Sequence, residues 1–236
     1  MTGLTHLTIV STVEGYIPYA LRWFLHLPKD LVHLTLYLSI QRMRSAEQRL
    51  NFTDIWWPAL RSQEHSLEYF DFVVNGGTTD YAAYLRRTGY FKSFTRLQTL
   101  RCHDGVLLLN EDNQSVTRQS IDEILPPTLI SLTLYDSAHF EDYELPLYLI
   151  GAVGAIYSEV CPKLKYLLIE DVRDHSDDTN DDSAALDYEM SLLQKLCKDL
   201  DVVFAVVDGK YLPHGGQRLQ STPEAHDPEA FVQRER

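Results

Sequence analysis

The chain has 236 residues, of which 44% are hydrophobic and 23% charged, as in an ordinary globular domain or a solenoid of six or seven units. Its net charge is −13, and residues 170–189 contribute −8 of this because they hold nine acids and one base. That acidity argues against nucleic acid and anionic membranes as partners. Because no long apolar run and no signal-peptide pattern occurs, we expect no membrane span and a cytoplasmic or nuclear location.

One apolar pattern recurs along the chain. It is clearest at Leu129, Leu132 and Leu134, which occupy positions 1, 4 and 6 of an L-x-x-L-x-L frame. The frame begins seven times, at residues 4, 31, 67, 97, 129, 164 and, weakly, 200. Successive starts are 27 to 36 residues apart, which indicates a repeat array with one strand and one return connection per unit.

The frame predicts one strand in each unit, and helical spacing of apolar residues predicts helices in several of the connections. In chain order the expected strands are Leu4–Val10, Leu31–Leu38, Leu67–Asn75, Leu97–His103, Leu129–Asp136, Leu164–Glu170 and Val202–Val207. The clearest expected helices are Tyr16–Leu27, Leu147–Val160 and a last helix that follows Ser183 as its N-cap.

The two ends of the array differ in composition. Residues 209–236 are rich in Pro, Gly, Gln and charge, so we expect a disordered tail after a repeat domain that spans residues 1–208. The first frame begins at Leu4, and a solenoid needs a cover over the apolar end of its first unit. We therefore expect either another surface over Leu4, Leu7 and Ile9 or further sequence upstream in the natural chain.

A strand with this frame, followed by a loop and a helix and repeated about every 33 residues, resembles a leucine-rich-repeat protein. The most specific pieces are LPKDLVHLTLYL at Leu27–Leu38 and CPKLKYLLIED at Cys161–Asp171. The long, uneven units resemble the C-terminal repeat region of fungal F-box/leucine-rich-repeat proteins, although no F-box pattern precedes them here. The resemblance implies an α/β solenoid of about seven irregular repeats, with a curved parallel sheet on the concave side and helices on the convex side.

In that family the F-box docks on a ubiquitin-ligase adaptor and the repeats recruit the substrate. The resemblance therefore implies a non-catalytic protein–protein interaction module, a substrate receptor or a scaffold of F-box/leucine-rich-repeat type. Ubiquitin-ligase components are expected partners only if an F-box lies upstream. A truncated gene product that has lost its N-terminal F-box is the alternative within the same family.

The surface that a partner would meet follows from strand alternation. The leucines of each frame point inward, and the residues between them face outward on the concave side. The outward sets are His6/Thr8/Val10, His33/Thr35/Tyr37, Tyr69/Asp71/Val73, Thr99/Arg101/His103, Ser131/Thr133/Tyr135, Tyr166/Leu168/Glu170 and Val202/Phe204/Val206.

We expect a protein partner to bind this face, because Tyr and Arg combine a large rigid area with a polar group. The expected anchors are Tyr37, Tyr69, Asp71, Arg101, His103, Tyr135 and Tyr166. The alternative is that these are ordinary residues of a sheet surface, since aromatic side chains favour strands.

No nucleotide-binding, serine-hydrolase or zinc-protease motif occurs, so no catalytic residue, cofactor or metal is predicted. His6 and His33 occupy equivalent positions on neighbouring strands, so they could share a metal ion. The alternative functional class is therefore a metal-dependent hydrolase that uses His and acidic residues of the concave face. The pair has no obvious third ligand, although Tyr69 is next in line, and a polar pair on the concave face is the favoured explanation.

Three further features have structural interpretations. Asp178–Glu189 partly fits a calcium loop, but Ser183 stands where such a loop needs glycine, so a solvated acidic loop over residues 170–182 explains the same residues. Cys102, Cys161 and Cys197 form no C-x-x-C pair and are predicted to be core residues. Trp56 and Trp57 are also predicted to pack in the core.

Overall fold

The computed structural model describes residues 3–11, 17–26, 28–39, 57–75, 91–103, 124–135, 160–171 and 183–208. Within them, seven strands form one parallel sheet whose order follows the order of the chain. The strands are β1 (His6–Ser11), β2 (His33–Ser39), β3 (Tyr69–Asn75), β4 (Thr99–His103), β5 (Ser131–Tyr135), β6 (Tyr166–Asp171) and β7 (Val203–Asp208). This arrangement is compatible with an α/β solenoid, because each strand pairs with the next one along the chain.

Helices are few in the described part of the chain. Helix α1 (Ile17–His26) connects β1 to β2, and helix α2 (Ser183–Asp199) connects β6 to β7. Residues 57–61 are also helical, and Phe91–Ser93 form one turn of 3-10 helix. Neither helix, nor any other helix within the described residues, is long and apolar enough to cross a membrane.

The frame leucines form the core on one face of the sheet. Leu31, which precedes β2, and Leu34 and Leu36 within it are all fully buried. The equivalent positions of β3 to β6 are also buried; they are Leu67/Phe70/Phe72, Leu97/Leu100/Cys102, Leu129/Leu132/Leu134 and Leu164/Leu167/Ile169. Burial of one such side chain contributes about 1.5–3 kcal/mol, so this repeated row is the main source of stability.

One hydrogen-bond pattern sets the register at the start of each strand. The carbonyl oxygen of Thr5, just before β1, accepts the amides of Val32 and His33 at 2.8 and 2.9 Å. The same two-donor arrangement recurs at the carbonyls of Val32, Glu68, Gln98 and Ile130, with distances between 2.7 and 3.1 Å. Strands β1 to β6 are therefore aligned by the same repeated interface, whereas at β7 the carbonyl of Lys165 accepts the amide of Val203 at 2.7 Å and the Val202 amide bonds elsewhere.

A buried glutamine joins two successive units behind the sheet. The Gln63 side-chain amide donates to the carbonyls of Leu25 (2.8 Å) and Pro28 (3.1 Å), and its oxygen accepts the amide of Leu31 at 3.0 Å. Ser66 donates to the same oxygen at 3.2 Å. Gln63 thus satisfies backbone groups in the turn that leads from α1 into β2, where no regular ladder can do so.

The structure confirms a strand in each predicted unit. In the six regular units the strand begins two residues after the first leucine of the frame, as with Leu31 and His33. Helix α1 ends before Pro28 as predicted, and α2 begins at Ser183. The predicted helix over 147–160, the calcium-loop residues 178–182 and the tail 209–236 lie almost wholly outside the described residues.

The last unit corrects the predicted register by one residue. The outward set Val202/Phe204/Val206 is wrong, because Tyr166 pairs with Val203 and Leu167 pairs with Phe204. Phe204 packs against the core, and Val203 takes the outward position. The cause is Asp201, whose left-handed backbone (φ 59°) inserts one extra residue between α2 and β7. The amide of Val202 consequently bonds to the carbonyl of Cys197 in α2 at 2.8 Å.

The core positions predicted for the three cysteines and for Trp57 are confirmed. Cys102, Cys161 and Cys197 are buried free thiols. Trp57 is buried and contacts Phe91 edge to face, with ring centroids 5.3 Å apart. Trp56 lies outside the described residues.

Candidate binding face of the sheet

The face of the sheet opposite the core is called the outer face below, and its residues lie in three rows set by the strand register. The first row holds His6, His33, Tyr69, Thr99, Ser131, Tyr166 and Val203. The middle row holds Thr8, Thr35, Asp71, Arg101, Thr133, Leu168 and Ala205. The third row includes Val10, Tyr37 and Val73 on β1 to β3 and the positions of His103, Tyr135 and Glu170 on β4 to β6.

An arginine with two carboxylates occupies the centre of the outer face. Arg101 donates through Nε and Nη2 to the two carboxylate oxygens of Glu170, at 2.8 and 2.6 Å. Its Nη1 donates to Oδ1 of Asp71 at 2.8 Å. The side chains of Arg101 and Asp71 are only 3% and 1% exposed, whereas that of Glu170 is 14% exposed. We call these three residues the Arg101 network.

The register explains how one arginine reaches both acids. Asp71 is paired directly with Arg101 across β3 and β4, but Glu170 is two strands away on β6. Two strand spacings are about 9.6 Å, a distance that a long arginine side chain can cover. On β5, Arg101 pairs with Thr133, which has a small side chain, and Glu170 pairs with Tyr135. The Arg101 network therefore ties β3, β4 and β6 together.

Electrostatics keep Arg101 charged within this network. Burial by itself lowers the pKa of Arg101, but Asp71 and Glu170 outweigh burial and raise the pKa well above the usual value. The Tyr37 hydroxyl donates to Oδ2 of Asp71 at 3.4 Å, so the network also positions one of the predicted anchors. An arginine held by two carboxylates in this way is a rigid element rather than a free contact group.

Three aromatic rings stack along the first row. The ring of His33 lies between those of His6 and Tyr69, with centroid distances of 5.3 and 3.8 Å and interplanar angles of 24° and 13°. The parallel register produces this stack, because equivalent positions on neighbouring strands are about 4.8 Å apart. Thr5 Oγ1 lies 2.9 Å from Nδ1 of His6 and Thr35 Oγ1 lies 3.4 Å from Nε2 of His33, which orients both imidazoles.

Two rings of the stack, those of His33 and Tyr69, are uncharged at neutral pH. Burial, and then the neighbouring His6, lower the pKa of His33 to about 4. Burial, and then the charge of Asp71, raise the pKa of Tyr69 well above the usual range of a phenol. His33 and Tyr69 therefore present rigid, neutral aromatic rings on the outer face.

The predicted anchors do not all lie on an open surface. Asp71 and Arg101 are buried in the network, while Tyr37, Tyr69 and Tyr166 are half-buried. The structure brings Tyr37, Tyr69, Asp71 and Arg101 together and places Tyr166 three strands from Tyr69 in the same row. The backbones of His103 and Tyr135 pair with each other in β4 and β5, and their side chains lie outside the described residues.

The more accessible part of the outer face lies at its ends and at the half-buried residues of its first and third rows, whereas Ser131 of the first row is buried. Thr35, Asp71, Arg101, Thr133 and Leu168 of the middle row are all buried. By contrast, the β1 residues His6, Thr8 and Val10 are exposed, and so is Val203 on β7. A partner that binds this face would meet these ends and the half-buried first row.

The network partner that sequence reasoning missed is Glu170. Its outward position was predicted, but it was grouped with the acidic segment and not with Arg101. The sequence did contain a signal for this contact: Arg101, Asp71 and Glu170 were all predicted to lie on the same face. A buried arginine needs carboxylate partners of this kind. Among the residues that the structure describes, no group of three or more His, Cys, Asp or Glu side chains is placed to hold a metal ion.

Comparisons of the chain with protein-family models, with curated proteins and with solved structures found no match.

Proposed function

We propose that this chain is a non-catalytic protein-binding module, built as a solenoid of the leucine-rich-repeat type, and that its partner binds the first row of the outer face. The observation that carries the proposal is the fixed aromatic stack of His6, His33 and Tyr69 beside the Arg101 network. The chain-order parallel sheet and the recurring frame support the repeat assignment.

The physical reason is preorganisation. A side chain that is already held in one conformation loses little entropy when a partner binds, so more of its contact energy appears as affinity. Tyrosine and histidine rings supply a large amphipathic area with few rotatable bonds. Stacking fixes His33 and Tyr69, and the hydrogen bond to Asp71 fixes Tyr37.

The resemblance to F-box/leucine-rich-repeat proteins supports a more specific role as a substrate receptor or scaffold. In that role the bound protein would be the substrate, and ubiquitin-ligase components would join only through an F-box upstream. The frames in Leu27–Leu38 and Cys161–Asp171 are the residues that support this step.

The proposal is tested by affinity purification of the tagged protein from its own cells, followed by quantitative mass spectrometry. The double variant Tyr69→Ala/Tyr166→Ala removes aromatic area from the first row, and Trp23→Ala is the matched control. Trp23 is 68% exposed and lies on α1, whose Leu25 packs in the core on the opposite side of the sheet. Thermal denaturation of all three proteins establishes that each is folded.

We expect a partner that is recovered by wild type and Trp23→Ala but lost from the double variant. Cullin and its adaptor among the recovered proteins would extend the role to a ubiquitin ligase. If wild type and the folded double variant recover the same proteins in the same amounts, the first row is not the binding surface and the proposal fails.

A further inference from the structure

The Arg101 network joins strands that are not neighbours in the sheet. Arg101 on β4 donates to both carboxylate oxygens of Glu170 on β6, at 2.8 and 2.6 Å, although β5 lies between these two strands. The two residues are 69 positions apart in the chain. By comparison, Gln63 and Leu25 precede the neighbouring strands β3 and β2 and are 38 positions apart. The contact of Arg101 with Glu170 therefore bypasses one complete unit of the array.

An array of sequential repeats does not need such a connection. Each unit contacts the unit before it and the unit after it, so one end of an array can open while the other end stays folded. Here the parallel ladders from β1 to β7 supply these contacts between neighbours. If the ladders acted alone, opening of β6, α2 and β7 would leave the ladders from β1 to β5 intact.

The burial of the network opposes an opening of this kind. The side chains of Arg101 and Asp71 are 3% and 1% exposed, and that of Glu170 is 14% exposed. When β6 opens, Arg101 loses two charge-assisted hydrogen bonds that offset the burial of its guanidinium. When β3 opens, the same guanidinium loses Asp71, which lies 2.8 Å away. Separation of either end from β4 therefore disrupts the same buried group of charges.

We propose that the Arg101 network makes the two ends of the sheet open together, as one cooperative unit, because it links β3 and β4 directly to β6. The ladders transmit this link from β3 to β1 and from β6 to β7. Without Glu170, β6, α2 and β7 open while β1 to β4 stay folded. This role belongs to the fold itself, so it does not depend on whether a partner binds the first row.

The first test leaves the network as it stands and perturbs one end of the sheet. Val202 is 5% exposed and lies between α2 and β7, five strands away from β2. Val202→Ala removes two buried methyl groups and so destabilises that end. Hydrogen exchange under native conditions, followed by mass spectrometry, then reports the opening of β2 through the peptide His33–Ser39. We expect exchange in this peptide to become about tenfold faster, and an unchanged rate would overturn the proposal.

The second test repeats the measurement after the link has been cut by Glu170→Ala. This substitution removes the contact between β4 and β6 but leaves Arg101 paired with Asp71, so the buried arginine keeps one carboxylate partner. In this background Val202→Ala should speed exchange in β2 by less than about twofold, while exchange in residues 190–199 of α2 still becomes about tenfold faster. An equal response of β2 in both backgrounds would show that the ladders alone couple the two ends, and the proposal would fail.

The matched control for the cut is Glu68→Ala. Glu68 also accepts from an arginine, Arg96, but these residues precede the neighbouring strands β3 and β4 and are 28 positions apart. In this background Val202→Ala should still speed exchange in β2 by about tenfold. Loss of the response here as well would mean that removal of any such glutamate uncouples the ends, which also refutes the specific role of the network. Far-UV circular dichroism establishes that each variant is folded.

Discussion

Removal of the Arg101 guanidinium should destabilise the fold more than removal of any exposed charge. In Arg101→Met the side chain keeps much of its length, but Asp71 (1% exposed) and Glu170 (14% exposed) lose their cation. Removing one partner of a buried ion pair costs about 3–5 kcal/mol, because the remaining charge stays buried without compensation. Native domains have about 5–15 kcal/mol of stability, so this change removes a large part of the total.

The matched control is Arg96→Met. Arg96 also donates to a carboxylate, that of Glu68, but both side chains are partly exposed, at 58% and 30%. Water screens such a pair, so its loss should cost less than about 1 kcal/mol. The assay is urea unfolding followed by far-UV circular dichroism, with the free energy of unfolding taken by linear extrapolation.

A double-mutant cycle separates the ion pair from packing. Asp71→Asn keeps an oxygen that can accept from Arg101 but removes the negative charge. The coupling energy between Arg101→Met and Asp71→Asn should exceed about 1 kcal/mol, since the two side chains share a buried hydrogen bond. If Arg101→Met costs no more than Arg96→Met, or if the coupling energy is zero, the reasoning on the Arg101 network is refuted.

Three other predictions concern the core, the stack and the last strand. Gln63→Leu should lower the free energy of unfolding by about 3 kcal/mol in the same urea assay, because the substitution leaves buried backbone groups without partners. The control is Gln98→Leu on the surface, which should change the free energy of unfolding little. The pKa of His33 is lowered from 6.5 to about 4 in the folded state, so the unfolded chain binds the proton first and stability should fall as the pH drops through this range. His33→Gln should flatten that dependence of the urea midpoint on pH, and an unchanged slope would contradict it. In thermal melts, Val202→Asp should strongly destabilise the protein because Val202 is buried, whereas Val203→Asp should be tolerated because Val203 is exposed. The reverse order of stabilities would mean that the register expected from the sequence is correct.

The strands could be predicted from the sequence because the leucines of each frame mark both where a strand begins and which of its residues face inward. In the first six units the strand begins two residues after the first leucine, so period-two alternation assigns every side chain to a face. The register of the seventh unit was predicted wrongly because nothing in its frame indicates the left-handed backbone of Asp201. A shift of one residue at that point exchanged the buried and outward sets of β7.

The alternation of side chains along a strand assigns each residue to a face of the sheet, but it does not predict whether that residue is exposed to solvent. Asp71 and Arg101 were assigned to the correct face, but their burial depends on contacts between strands that are distant in sequence, such as the bond from Arg101 to Glu170. The buried role of Gln63 could not be predicted, because a single glutamine in a polar segment has the sequence pattern of a surface residue. Its role is visible only when the carbonyls of Leu25 and Pro28 are placed around it.

The Arg101 network also bears on how the two halves of the sheet act together. Sequential repeats are stabilised mainly by contacts between neighbours, so distant units are only weakly coupled. Arg101 departs from this pattern because it joins β3 to β6 across β5. The aromatic stack lies on β1 to β3 and Tyr166 lies on β6, so the network connects the strand that carries Tyr69 to the strand that carries Tyr166. A partner that contacts both Tyr69 and Tyr166 would therefore depend on Arg101, although Arg101 itself is buried beneath the surface that the partner meets.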